Sequence, residues 1–241
     1  MKAKPVMRAL FLIFLWSVPG FAQEAPDFSG QDETPERRPV VLVPGWMGRA
    51  LDMMALKERL VRDGWPEAIV FPLEFTDPVG SNVDHADELD LALQSILEET
   101  GALQVDVVAH SMGGLAVWVL LQETSGLVPI KRVVFLATPF QGTVTAHLAW
   151  GAGGPEMIPE SSFLRGLAGG GWPQRWVDAL TIRTPLDLTV LPAFGTDMLG
   201  LGDRLICCPT HQGLLDHEET YAIIRDFLLE GKRSEDDSTS R

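Results

Sequence analysis

A serine hydroxyl attacks an acyl carbon at neutral pH only when a base takes its proton and a further group steadies that base. Ser111 stands in a setting suited to this. It lies in Ala109-His110-Ser111-Met112-Gly113-Gly114, directly behind the apolar run Val105-Asp106-Val107-Val108 and ahead of an apolar helical pattern from Leu115 to Leu121. A short buried strand that turns at small residues into a helix holds the hydroxyl at the turn proud of the sheet. The residues two before and two after the serine must be small, because larger side chains would collide there. Ala109 and Gly113 meet that need. The chemistry implied is acyl transfer through a serine ester.

The base and its holder should follow in the order serine, acid, histidine, each at the end of a later strand. Of five histidines, His211 fits the last place, just after an apolar run at Arg204 to Cys207. His85 comes too early in the order, and His110 adjoins the serine but points elsewhere along the turn. His147 falls in an irregular segment, and His217 sits at the start of a closing helix. For the acid, Asp187 lies just past a strand at Leu180 to Arg183, with one further strand before the histidine; Asp197 is the alternative. Asp203 and Asp216 read as solvated or capping residues. The developing oxyanion needs backbone N–H donors. One is Met112, which follows the serine and opens a helix whose N-terminus favours negative charge. The other should come from the loop Pro44-Gly45-Trp46-Met47-Gly48, with Trp46 as donor and Met47 as fallback. These steps require no metal and no organic cofactor.

Such a site needs a rigid platform, and strand and helix patterns alternate to supply one. Strands are expected at Val40 to Val43, Ala68 to Phe71 (closed by Pro72), Val105 to Val108, Arg132 to Ala137, Leu180 to Arg183 and Arg204 to Cys207. Helices are expected at Leu51 to Val61 (face Leu51, Met54, Ala55, Leu60), at Val83 to Glu99 (face Leu89, Leu93, Ile96, Leu97, ended by Gly101) and at Glu218 to Leu229. Continuous apolar strands separated by helices imply an α/β fold: a mostly parallel sheet with helices on both faces. Residues 143–178 break the rhythm and carry Trp150, Phe163, Leu164, Leu167, Trp172 and Trp176, together with the run Gly169-Gly170-Gly171. This cap-like insert either presents its aromatics to an acyl chain or packs them onto the body.

The chain has 241 residues, 46% of them hydrophobic, which suits one large core. Lys2, Lys4 and Arg8, then the apolar Ala9 to Val18, then Gly20-Phe21-Ala22 read as a signal peptide over 1–22; an uncleaved membrane anchor is the alternative. Export to a periplasm or secretion is therefore expected. Residues 23–38 read as a flexible leader, 39–230 as the domain and 231–241 as a disordered tail. Loss of the three N-terminal cations takes the formal charge from −14 to −17. So acidic a chain repels phosphates, so nucleic acid is an unsuitable partner; a small-molecule or lipid ester, with transient contact to a lipid surface, suits the site. Cys207 and Cys208 are adjacent. They form either a strained eight-membered ring or a pair of small, buried, reduced thiols.

With these residues in place, the chain resembles the α/β-hydrolase superfamily, and within it the small bacterial lipases and esterases with alanine at the first position of the serine turn. The resemblance rests on Val107 to Gly114, on Asp187 with Val190 and Pro192 behind it, and on His211-Gln212-Gly213-Leu214-Leu215. It covers most of residues 39–230. It implies carboxylic ester hydrolysis with Ser111 as nucleophile, Asp187 as acid, His211 as base, and Trp46 and Met112 at the oxyanion. Val133 to Thr143 also resembles that family's strand and TPxxGT loop, which helps to shape the pocket. Pro44 departs from the histidine that many members carry before the glycine; a backbone donor at Trp46 does not need it. An acyltransferase, phospholipase or thioesterase could use the same three residues, and a binding protein that keeps the fold is the non-enzymatic alternative.

Overall fold

The computed structural model describes residues 37–124, 128–172, 177–196 and 201–229. The expected signal segment, the leader to residue 36, the tail from 231, Trp176 and Asp197 lie outside the described residues.

Val40–Val43 (β1) and Val105–His110 (β3) are buried along their whole length. Strands with no solvent face must be covered on both sides, and such strands pair in parallel. They join Val70–Pro72 (β2), Ile130–Leu136 (β4), Asp178–Arg183 (β5) and Gly202–Leu205 (β6) in one six-stranded sheet of order β2-β1-β3-β4-β5-β6. Every pairing is parallel. Met54–Arg62 (α1) and Glu218–Leu229 (α6) cover one face through Leu56, Leu60, Ile224 and Leu228. Asn82–Thr100 (α2), Gly113–Glu123 (α3), the short Gly153–Glu156 (α4) and Ser162–Gly170 (α5) lie in the insert and on the other face, where Leu89, Leu93, Leu115 and Leu164 share one core. Helix α3 is buried from Gly113 to Leu121, because it runs between the sheet and its neighbouring helices. The expected α/β class and parallel sheet are thus present.

Several boundaries differ from expectation for local reasons. The first helix opens as a 3-10 turn over Ala50–Met53, which shifts the phase of the buried stripe. Met53, Leu56 and Leu60 face inward, while Leu51 is 79% exposed. Strand β2 starts later, after a 3-10 turn at Glu67–Ile69, and includes Pro72. A proline is tolerated there because β2 is a sheet edge. Helix α2 ends as expected, with Gly101 in the left-handed region. Asp203 is neither simply solvated nor a cap: it takes a bidentate contact from Arg183 at 3.0 and 2.9 Å and a bond from the Thr181 hydroxyl, across the β5–β6 pair. Cys207 and Cys208 are exposed and joined as a vicinal disulfide, so the buried reduced thiols are not found.

Arg37 and Arg38, which the sequence places in the leader, belong to the folded body. Arg37 lies 3.9 Å over the Trp65 ring and donates to the Asp63 carbonyl. Arg38 pairs with buried Asp106 at 3.0 Å, and Arg132 approaches the same carboxylate at 3.7 Å. Burial pushes the Asp106 carboxyl up to about 6, against the pull of Arg38. This cluster sits at the beginning of the β-strands, the end of the sheet opposite Ser111.

Candidate active site

The chain leaves β1 toward the edge strand β2 and then returns to β3 on the other side of β1. Connections diverge here at the carboxyl ends of two adjacent strands, and a crevice opens between them. Val43 pairs with Ala109, so the loop after β1 and the turn after β3 face each other. Ser111 is the first residue beyond β3 and has φ 52°, a left-handed conformation uncommon for a residue with a side chain. Its N–H donates to the Leu136 carbonyl at 2.8 Å, and its carbonyl accepts from Gly114 N–H at 3.0 Å. The strained residue is therefore held from β4 on one side and from α3 on the other. The turn requires small neighbours, as expected. A Cβ on Gly45 would lie 2.8 Å from the Ser111 Cβ, one on Gly113 would lie 2.2 Å from the Pro44 oxygen, and one on Gly114 would lie 2.0 Å from the Thr138 hydroxyl.

Asp187 and His211 meet behind this turn. His211 Nδ1–H donates to Asp187 Oδ2 at 2.7 Å, with both side chains buried. The second carboxylate oxygen accepts from the N–H groups of Thr189 and Val190 at 2.8 and 2.7 Å. Burial alone would raise the Asp187 carboxyl. The bonds from His211, Val190 and Thr189 outweigh it and hold the group below the usual carboxylate range. A carboxylate kept ionised in this way fixes the tautomer and the orientation of the ring it holds. His211 and Ser111 line the same cavity of about 160 Å³, with Gly45, Trp46 and His110. Ser111 also lines a second, larger cavity of about 350 Å³, whose walls include Ala146, Leu148, Trp150, Met157 and Val190.

Met112 opens the first turn of α3, where backbone N–H groups lack intrahelical acceptors. Trp46 lines both cavities beside Ser111. Met47, the fallback donor, is excluded: its N–H donates to the Pro78 carbonyl at 2.8 Å.

Three further parts of the site carry no signal in the sequence. His110 is buried beside His211, with ring centroids 4.7 Å apart, and its Nε2–H donates to the His211 carbonyl at 3.3 Å. Burial, reinforced by the neighbouring His211 ring, drives His110 down to about 3, so it is a neutral spacer. Glu156 in α4 accepts from the Ser81 hydroxyl, Asn82 N–H and Asn82 Nδ2, each at 2.7 Å, which fastens the insert to the N-terminus of α2. A negative charge is favoured at that end of a helix. Trp46 Nε1–H donates to the Trp150 carbonyl at 3.1 Å, and the two rings meet edge to face.

The aromatics of the insert divide between the two expected uses. Trp150 lines the larger cavity, while Leu164, Leu167, Phe163 and Trp172 pack on the body. The segment has more regular structure than expected: α5 is capped by the Ser161 hydroxyl accepting from Leu164 N–H, and Gly169 and Gly170 lie inside the helix rather than in a loop.

The fold is similar to that of solved lipases and an esterase. Aspergillus fumigatus lipase B matches with TM-score 0.67 at 20% identity, over 80% of this chain and 52% of that one. A Bacillus licheniformis lipase in its mature form matches with TM-score 0.68 at 14% identity, over 80% and 93% of the two chains. Polyneuridine aldehyde esterase matches with TM-score 0.54 at 16% identity, over 81% and 99%. The chain spans about half the length of the Aspergillus lipase. No protein-family profile matches it. At these identities the likeness establishes the α/β-hydrolase fold.

Proposed function

We propose that the chain is a serine hydrolase of carboxylic esters working through an acyl-enzyme. The observation that carries this reading is the left-handed Ser111 at a strand-to-helix turn, opening into a cavity lined by a histidine that is itself hydrogen-bonded to a buried carboxylate. In this reading His211 takes the Ser111 proton as the oxygen bonds to the ester carbonyl carbon. Asp187 stabilises the imidazolium that results. The tetrahedral oxyanion is received by the N–H groups of Met112 and Trp46. Its collapse breaks the bond to the alcohol oxygen, which His211 protonates. Water then enters, gives its proton to His211, and frees the acid and the serine.

The larger cavity is the acyl site in this scheme. Its walls are mainly apolar, and about 350 Å³ holds roughly ten heavy atoms if each takes the ~30 Å³ of a water-sized group. That supports a short or medium acyl chain. The pattern of residues 1–22 supports an exported enzyme acting on esters outside the cytoplasm.

Ser111→Ala tests the assignment. The variant should keep its thermal midpoint within a few degrees, lose all labelling by a fluorophosphonate and lose turnover of short p-nitrophenyl esters. Unchanged turnover with an intact fold would overturn it.

A further inference from the structure

The acid is positioned by a group from the other side of the cavity. Asp187 lies in a turn whose donors are the N–H groups of Thr189 and Val190. These N–H groups are useful only while residues 189–191 stay in place, and the segment belongs to no helix or strand. One hydroxyl grips it at both ends. Thr143 Oγ1 donates to the Thr189 carbonyl at 3.0 Å and accepts from Leu191 N–H at 2.8 Å. A threonine hydroxyl has one proton and two lone pairs, so a single side chain suffices for both bonds. Thr143 is 3% exposed, and water competes poorly for these partners. Thr145 adds a second donor to the Thr189 carbonyl, but its side chain stands nearer the solvent.

We propose that Thr143 is a positioning residue for the catalytic acid: its hydroxyl fixes residues 189–191, which hold Asp187 against His211. The inference rests on the reading of Ser111, Asp187 and His211 as the hydrolytic site. Thr143 does not touch the reacting atoms; it acts through the backbone that aims the carboxylate. When the hydroxyl is removed, Val144 N–H to the Leu191 carbonyl at 2.9 Å and the Thr145 hydroxyl on the Thr189 carbonyl still hold the segment. The segment is therefore loosened rather than released, which makes the link testable without unfolding the protein.

The test uses the full chain and the second-order rate of fluorophosphonate labelling, together with kcat and KM on p-nitrophenyl butyrate. Thr143→Val, nearly isosteric, should lower the labelling rate and kcat about ten- to a hundred-fold, the range for misplacement of a catalytic group by up to ~1 Å, with KM within two-fold. Thr143→Ser keeps the hydroxyl and should recover to within three-fold of the parent. In an Asp187→Ala background Thr143→Val should change the rate by less than two-fold, because the group it positions is gone. A Thr143→Val enzyme as fast as the parent overturns the proposal, and so does an undiminished effect in the Asp187→Ala background. Should Thr143→Val not fold by circular dichroism, Thr143→Ala gives the same comparison; failure of both to fold makes the hydroxyl a structural requirement and overturns the positioning role. A parent chain that takes no label overturns the hydrolase reading, and this inference with it.

Discussion

Replacing Gly113 by alanine should damage the site more than the fold. The added Cβ would lie 2.2 Å from the Pro44 oxygen and 2.9 Å from Val43 Cγ1, both on the β1 side of the crevice. Restoring ordinary van der Waals contact requires roughly 1 Å of separation between the start of α3 and the end of β1. Overpacking of this kind costs about 1–3 kcal/mol. Alanine returns up to about 1 kcal/mol through better helix propensity. The net loss of stability is then on the order of 1–2 kcal/mol, and the protein stays folded. The two proposed oxyanion donors fare worse. Met112 precedes Gly113, and Trp46 lies two residues beyond Pro44, so the same displacement drives them apart. An error of ~1 Å in such a group costs about a hundred-fold in rate. Gly166→Ala is the control. Its added Cβ meets nothing within 4 Å on α5, so alanine should stabilise by about 0.5–1 kcal/mol with no change in rate. Urea titration and the fluorophosphonate labelling rate read both quantities. A Gly113→Ala protein that labels within three-fold of the parent would refute the reasoning, because the crevice would then tolerate an expansion that the geometry forbids.

Two other expectations concern residues around the site. His110 is held neutral by burial, down to about 3, against an unfolded value near 6.5. Its contribution is whole above 6.5 and is lost as the pH falls toward 3, because the unfolded chain binds the proton first; at pH 5 this amounts to about 2 kcal/mol. Asp106, pushed up to about 6, works in the opposite direction over the same range. The measurement is therefore the difference in unfolding free energy between the parent and His110→Asn at pH 7 and pH 5, and equal pH slopes in the two proteins would count against a buried neutral imidazole. Glu156→Gln removes the charge that draws three donors from the start of α2. Stability should fall by about 1–2 kcal/mol, and KM for a medium-chain ester should rise several-fold, since the neighbouring Met157 is part of the cavity wall. An unchanged KM would show that the wall does not depend on this clasp.

The strand-to-helix turn at Ser111 is legible because its signals are local: small residues at fixed offsets, a buried strand before it and a helix after it. The places of Asp187 and His211 beyond the ends of β5 and β6 are legible because strand ends in a parallel sheet come in a fixed order along the chain. The contacts that hold them are not. His110 bonds to a residue 101 positions away, Glu156 to one 74 away, and Thr143 to ones 46 and 48 away. A hydroxyl or carboxylate that serves a distant backbone group leaves no periodic trace. In helix α5 the local signal runs against the structure. Gly166, Gly169 and Gly170 argue against a helix by propensity, and packing of Leu164 and Leu167 overrides them. Leu51 lies within the 3-10 turn that precedes α1, which places it on the solvent face.

The sheet order explains why so many of these contacts converge on His211. Ser111 ends β3, while His211 follows β6, three strands away. At ~4.8 Å between neighbouring strands, the loop from β6 must come back across roughly 14 Å to bring its imidazole to the cavity that Ser111 lines. A free loop of that reach would spread the ring over many positions. Here it is fastened at successive points along its path. The Thr184 hydroxyl holds the Pro209 carbonyl at 2.6 Å, His110 holds the His211 carbonyl, and Asp187 holds the ring itself. Asp187 is in turn held by residues 189–191, which the hydroxyl of Thr143 grips from the insert. The body of the sheet thus fixes Ser111 by backbone geometry, whereas His211 is fixed by a chain of contacts that ends in the cavity wall.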